Sequence, residues 1–326
     1  MFILENSTKV ILKVVLTVLG LVFLWLIRDI ILLLLLSLIV ASALEPMVEY
    51  FNQHRVPKAV SVLTVYLLAL GLLGLVLYLL IPPAILQFQL LAEKWPEYFS
   101  RFQDQLGNIN LSNFSITSLL DEVKGGFLDK TFGVFSGLFS FITVLVVSFY
   151  LVAEEQSMKQ FVANLLPPQH HEVVLGLIEK IQVKMGKWVL GQIILSFSIF
   201  ALTYVGLLIL GVDYALFLAL LAGLLEVVPY IGPFLSAVPA VFFAFIQNPA
   251  LAIAVVILYI IVQKTEGYVL VPKIMQKTVG LSPLVVLVSL LIGFKLAGIL
   301  GLLISVPIAS ALLVVIQEFS PVKNSL

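Results

Sequence analysis

The 326-residue chain is 61% hydrophobic and only 11% charged, with zero net charge and a mean hydropathy of +1.17. Soluble domains are roughly 45–50% apolar and about 25% charged, so one core cannot hide this surface and the chain reads as an integral membrane protein. The neutral balance leaves no basic footprint for nucleic acid, and a chain with no cysteine has no disulfides, thiolate nucleophiles or zinc–thiolate sites.

A span needs about 20 apolar residues to cross roughly 30 Å of hydrocarbon. Val10–Ile27 and Ile30–Leu44 are both short and flank Arg28-Asp29. They fit a hairpin or one kinked helix, and the charges at the tip favour the hairpin. Val56–Ile81 is a long span ending at Pro82-Pro83. These make an N-terminal membrane region, 1–82. Over 83–130, Phe88, Trp95, Phe99, Phe102 and Leu106 recur at helical spacing between charged residues, which predicts an amphipathic module outside the membrane. Within it Asn108–Ser118 reads as a polar loop and Ser118–Asp121 as a capped helix start. The aromatic set Trp95, Tyr98 and Phe99 reads as an interface anchor.

Residues 131–153 form the next span, with Gly133 and Gly137 as a small-residue packing face. Residues 154–187 are again amphipathic, split at Pro167-Pro168, and 188–326 form a C-terminal membrane core. In that core Val189–Leu210 spans, Gly211–Asp213 turns with Asp213 as an N-cap, and Tyr214–Val228 returns to a break. Phe234–Ile246, a turn at Gln247-Asn-Pro249, and Ala250–Leu270 follow. Leu281–Ile316 is too long for one span and is expected to fold back as a hairpin. The fold class is therefore all-α, a polytopic protein of about eight to ten membrane segments, some short, broken or re-entrant. With the N-terminus inside, twelve of the 18 basic residues fall on the inner side. The expectation is cytoplasmic termini, an external 83–130 module and a cytoplasmic 154–187 module.

The break carries the chemistry. Glu226-Val-Val-Pro-Tyr-Ile-Gly-Pro233 puts a carboxylate beside two prolines and a glycine in apolar sequence. Proline removes a backbone donor, so Pro229 and Pro233 are expected to interrupt a helix. Such a break is tolerated in a bilayer only where protein or water satisfies it, and transporters build midplane sites this way. Glu226 reads as a proton- or cation-coupling site, or as an acceptor for substrate hydroxyls. The alternative is an interfacial carboxylate held by backbone donors near Tyr230 and Gly232. Gln263 and Glu266, three apart on one helix face, read as a cavity wall or as an ordinary helix end. Lys264 and Glu266 are not spaced to pair. Gln192 is suited to bonding across helices or lining a cavity. Lys295 either snorkels to the surface or opposes Glu226. His54, His170 and His171 are too scattered for a metal site, and Leu175 stands where a zincin-like second histidine would be. Catalytic motifs, cofactor loops and an ATP-binding motif are absent from the sequence, which points away from an enzyme. Met1–Glu5 has no basic region before the apolar run, so no removed signal peptide is expected.

Several stretches, in order, resemble one family. They are Leu44–Phe51 with Val56–Val60, Phe149–Val152 with Leu165–Pro168, Gly191-Gln192, Val228–Pro233, Gln263–Glu266 with Leu270–Ile274, Leu281–Pro283 and Gly301–Pro307. The chain resembles the autoinducer-2 exporter family from about residue 10 to 316, with residues 83–130 contributing little. The resemblance implies a multispanning bacterial inner-membrane protein that forms a homo-oligomer, a pentamer among the candidates. It implies export of a small solute such as autoinducer-2, or sodium/proton antiport, with no cofactor. A third reading, from a different class, is a membrane scaffold that transports nothing.

Overall fold

The computed structural model describes residues 2–106, 131–275 and 280–319. Helix α1 (Phe2–Leu26) leads into α2 (Arg28–Gln53), followed by α3 (Lys58–Leu106), α4 (Thr131–Ala153) and a short α5 (Glu155–Asn164). After a 3-10 turn (Pro168–His170) come α6 (His171–Leu210), α7 (Ala215–Leu225), α8 (Ile231–Gln247) and α9 (Pro249–Thr265). A π-turn (Glu266–Leu270) joins α9 to α10 (Val271–Ile274), and α11 (Pro283–Phe319) closes the described chain. The described residues include no strand.

Among the described residues, five helices are long and apolar enough to cross a membrane, and a sixth is counted if α4 and α5, bent by 76°, are one span. Three shorter apolar helices accompany them. Leu72, Phe139, Ile209, Phe234 and Leu291 are all exposed, as side chains facing lipid would be. The chain is a polytopic membrane protein.

α6 is the central element, packed against α2, α7, α9 and α11. One core cluster joins Leu207, Leu218, Phe243, Ile246 and Val255 from α6 to α9. A second joins Val48, Val62, Tyr66 and Val152 from α2, α3 and α4. Two buried serines of α2 satisfy their hydroxyls locally. Ser37 and Ser42 each donate to the carbonyl four residues back, at 2.7 and 2.8 Å.

α11 is a hairpin, as its length predicts. Ala297 (φ −144°, ψ 20°) and Gly298 (φ 57°, ψ −135°) leave helical geometry. A Cβ added to Gly293 would lie 2.4 Å from the carbonyl oxygen of Gly301. Eight residues of straight helix would separate the two by about 12 Å. The arms therefore fold back and touch where both residues are glycine.

Two local expectations are corrected. Hydrogen bonds from Ile27 N to Phe23 O and from Ile31 N to Ile27 O carry the helical ladder through the Arg28-Asp29 junction. Residues 13–26 are all exposed, so α1 and α2 form a kinked continuation and not a hairpin. α3 runs through Pro82-Pro83. The missing donors there are outweighed by the strong helix formers that follow, Ala84 to Lys94. α6 runs as one continuous helix from His171 to Leu210, so the amphipathic 171–187 stretch and the span after it share one rod. Residues 107–130, with the expected loop and capped helix start, lie outside the described residues. So do the side chains of Trp95, Tyr98 and Phe99 and the packing around Gly133 and Gly137.

Candidate functional site

α7 and α8 are 11 and 17 residues long, each short of a full span. The stop between them is built from local chemistry. Val227 N and Val228 N bond to carbonyls three residues back, at 3.4 and 3.0 Å, tightening the last turn of α7. Pro229 has no N–H to continue the ladder. Tyr230 then takes φ 66°, ψ −42°, and Ile231 N donates to Pro229 O at 2.8 Å. This is a γ-turn of the rare positive-φ kind, which carries strain. Gly232 N donates to Val228 O at 3.0 Å. A Cβ on Gly232 would sit 2.2 Å from Leu225 O, so only glycine lets α8 start against the end of α7.

Pro233 does not interrupt the helix as expected. It stands at the third position of α8, where its N–H would have no helical acceptor anyway. One turn before Pro239, the Tyr259 hydroxyl from α9 donates to Ser236 O at 3.3 Å.

Glu226 caps α7 and is fully buried, with neither carboxylate oxygen hydrogen-bonded among the described residues. The backbone donors of the break therefore do not hold it. Its carbonyl oxygen accepts from Gln192 Nε2 of α6 at 2.6 Å. Glu266 is buried at the start of the π-turn and accepts from Gln263 Nε2 at 3.1 Å. A cavity of ≈ 410 Å³ opens beside the break, with Gln192, Pro229, Tyr230, Gln263 and Glu266 in its wall. Trp188, Met275, Leu281 and Val306 add apolar lining. The described wall carries no lysine, arginine or histidine. π-turns occur often at functional sites because they re-aim a side chain inside a helix; here the turn brings Glu266 onto the cavity.

The structure thus gathers Gln192, Pro229, Tyr230, Gln263 and Glu266 around one space, with Glu226 and Gly232 just behind it. Lys295 stands elsewhere, exposed beside the α11 kink, and does not line this cavity. Lys264 is exposed over the Tyr268 ring at 5.5 Å, apart from Glu266 as its spacing implied.

The family model described as AI-2E family transporter matches residues 14–320. The chain belongs to the AI-2E transporter family. This AI-2E chain is 27% identical over 311 residues to the Bacillus subtilis protein named "Putative transport protein YrrI", covering 90% of this chain and 88% of that one. It is 26% identical over 277 residues to "Putative transport protein YueF" of the same organism, covering 78% and 75%. A Haemophilus influenzae protein named "Putative transport protein" is 29% identical over 303 residues, covering 87% and 85%. The AI-2E chain is a multi-pass membrane transporter of a bacterial family.

Two features escaped sequence reasoning. Asp213 is exposed and does not cap α7. The Phe217 N–H in its first turn donates instead to Gln87 Oε1 of α3 at 2.9 Å, and a cap from 130 residues away leaves no local signal. At the other end of the molecule, Glu155 on α5 is held by Lys58 at 3.0 Å and by Lys159 at 2.5 Å. Glu45 of α2 lines a cavity of ≈ 110 Å³ with Glu155 and Lys159. The one sequence signal was a glutamate directly after the apolar run Ile30–Leu44. Among the described residues no group of three or more acidic or histidine side chains is placed to hold a metal.

Proposed function

We propose that this AI-2E family member is a secondary transporter that exports a small solute through the cavity at the Pro229–Pro233 break. Glu226 and Glu266 couple that movement to a proton or a monovalent cation. The observation that carries this reading is a buried pair of carboxylates with no facing cation in the described wall, beside a broken helix. Carboxylates at membrane depth are costly and mark ion and proton pathways. Gln192, Gln263 and Tyr230 supply donors and acceptors for a polar solute, and the apolar lining suits a small, compact one. Autoinducer-2 is the substrate the family name suggests. The basic asymmetry of the loops supports an inner-membrane orientation with both termini in the cytoplasm, and the resemblance supports a homo-oligomer.

Sodium/proton antiport is the second reading, favoured by the same two carboxylates. A scaffold that transports nothing has no use for a buried, unpartnered glutamate. Inverted membrane vesicles carrying wild type or Glu226→Gln test all three. Autoinducer-2 uptake and sodium-dependent pH change are followed in parallel. Autoinducer-2 uptake reduced about tenfold or more in Glu226→Gln is the expected result. A sodium-dependent pH signal lost in the variant, without autoinducer-2 uptake, establishes the antiporter. Neither signal above empty vesicles, with folded protein present, sinks both transport readings.

A further inference from the structure

A second hollow, of ≈ 220 Å³, lies between the two arms of α11 and the start of α2. Ile292, Leu296, Ile304, Ile308 and Leu312 make it apolar. Ser289 and Ser305, also in the wall, spend their hydroxyls on the carbonyls of Val285 and Leu302, at 2.7 and 2.8 Å. Dry apolar hollows of this size take hydrocarbon and not water.

Two basic residues, outside the lining itself, neighbour it along their helices. Leu32 lines the hollow one helical turn after Arg28, and Leu296 lines it directly after Lys295. Lys295 is exposed and makes no ion pair or hydrogen bond among the described residues. Arg28 stacks over the Trp25 ring at 4.8 Å, its Nε lies 3.6 Å from the exposed Asp29 carboxylate, and its own side chain is half exposed. A tryptophan beside exposed basic residues is the composition of a membrane interface. Charge therefore sits where a headgroup would, and hydrocarbon space runs inward from it.

We propose that this groove is a lipid site, holding one acyl chain of an anionic phospholipid whose phosphate is bound by Arg28 and Lys295. The glycine contact at Gly293 and Gly301 shapes it. That contact brings the arms together near the kink, and Leu290 and Val306 pack into one core cluster further along. The site is separate from the transport cavity and does not depend on the proposed substrate.

Native mass spectrometry of the detergent-purified protein, titrated with dioleoylphosphatidylglycerol or dioleoylphosphatidylcholine, tests the proposal. Wild type is expected to bind the anionic lipid about tenfold or more tightly than the zwitterionic one. The double variant Arg28→Gln, Lys295→Gln is expected to bring that preference to within about twofold. Ala309→Phe, which fills the hollow, is expected to weaken both lipids. Circular dichroism confirms folding; if the double variant misfolds, Lys295→Gln alone, at an exposed position, is expected to cut the preference about threefold. Equal binding of the two lipids by wild type, a preference that survives the charge removal, or unchanged binding by Ala309→Phe would each overturn the site.

Discussion

Gln192 Nε2 donates to the backbone carbonyl oxygen of Glu226 across 2.6 Å, with both residues buried. The bond ties the middle of α6 to the point where α7 stops. It also satisfies a carbonyl that the break would otherwise leave bare in an apolar setting. Gln192→Leu keeps the volume and removes the donor. The expected loss is about 1–2 kcal/mol, read as a lowered melting temperature in detergent. An unchanged melting temperature would mean that the carbonyl finds another donor.

Gly232→Ala is expected to destabilise the protein by about 1–3 kcal/mol, because the added Cβ meets the Leu225 carbonyl and cannot push backbone aside. Gly267, in the π-turn, has nothing within 4 Å of a built Cβ. Gly267→Ala should therefore leave the melting temperature near wild type. The two alanines compared side by side separate a steric requirement at the break from a general sensitivity of the site.

Asn248 caps α9 through its side-chain oxygen, which accepts from Ala250 N at 2.9 Å, ahead of Pro249 at the first helical position. Asn248→Ala should cost about 1 kcal/mol, and Asn248→Asp much less. Chemical denaturation of both variants checks the difference. Equal losses would point to the turn and not to the cap.

Acid should loosen the attachment of α5. This ten-residue helix turns 76° from α4 and by itself is too short and too polar to cross a bilayer. Burial pushes the Glu155 carboxyl up, but hydrogen bonds from Lys159 and Lys58 outweigh it and hold the group below its ordinary value. A group depressed in the folded state stabilises above its unfolded value, about 4.3, and that contribution fades as pH falls through the folded one. Stability of Glu155→Gln should therefore change less than wild type as pH falls below about 4.3. Melting curves from pH 7 to pH 3 read the effect, and parallel curves for the two proteins would sink it.

Much of this was legible before any tertiary structure. Composition alone demanded a membrane, because no single core hides so apolar a surface. The break at Pro229, the fold-back of α11 and the turn at Gln247-Asn-Pro249 follow from backbone chemistry within a few residues. Gln263 and Glu266 could be paired from their spacing, since residues three apart share a helix face. Local rules also misled. Pro82-Pro83 reads as a stop, yet the helix-forming residues after it carry α3 onward, and Asp213 reads as a cap that Gln87 supplies.

What only the tertiary structure decided is every relation between helices. Sequence placed Glu226 near a break but was silent on whether its carboxylate had a partner, because burial is a property of neighbours. Gln192 reaches Glu226 across 34 residues, Gln87 reaches Phe217 across 130, and Lys58 reaches Glu155 across 97. Those contacts depend on how apolar helix surfaces interlock. Hydrophobic periodicity says which face is buried but not which partner buries it.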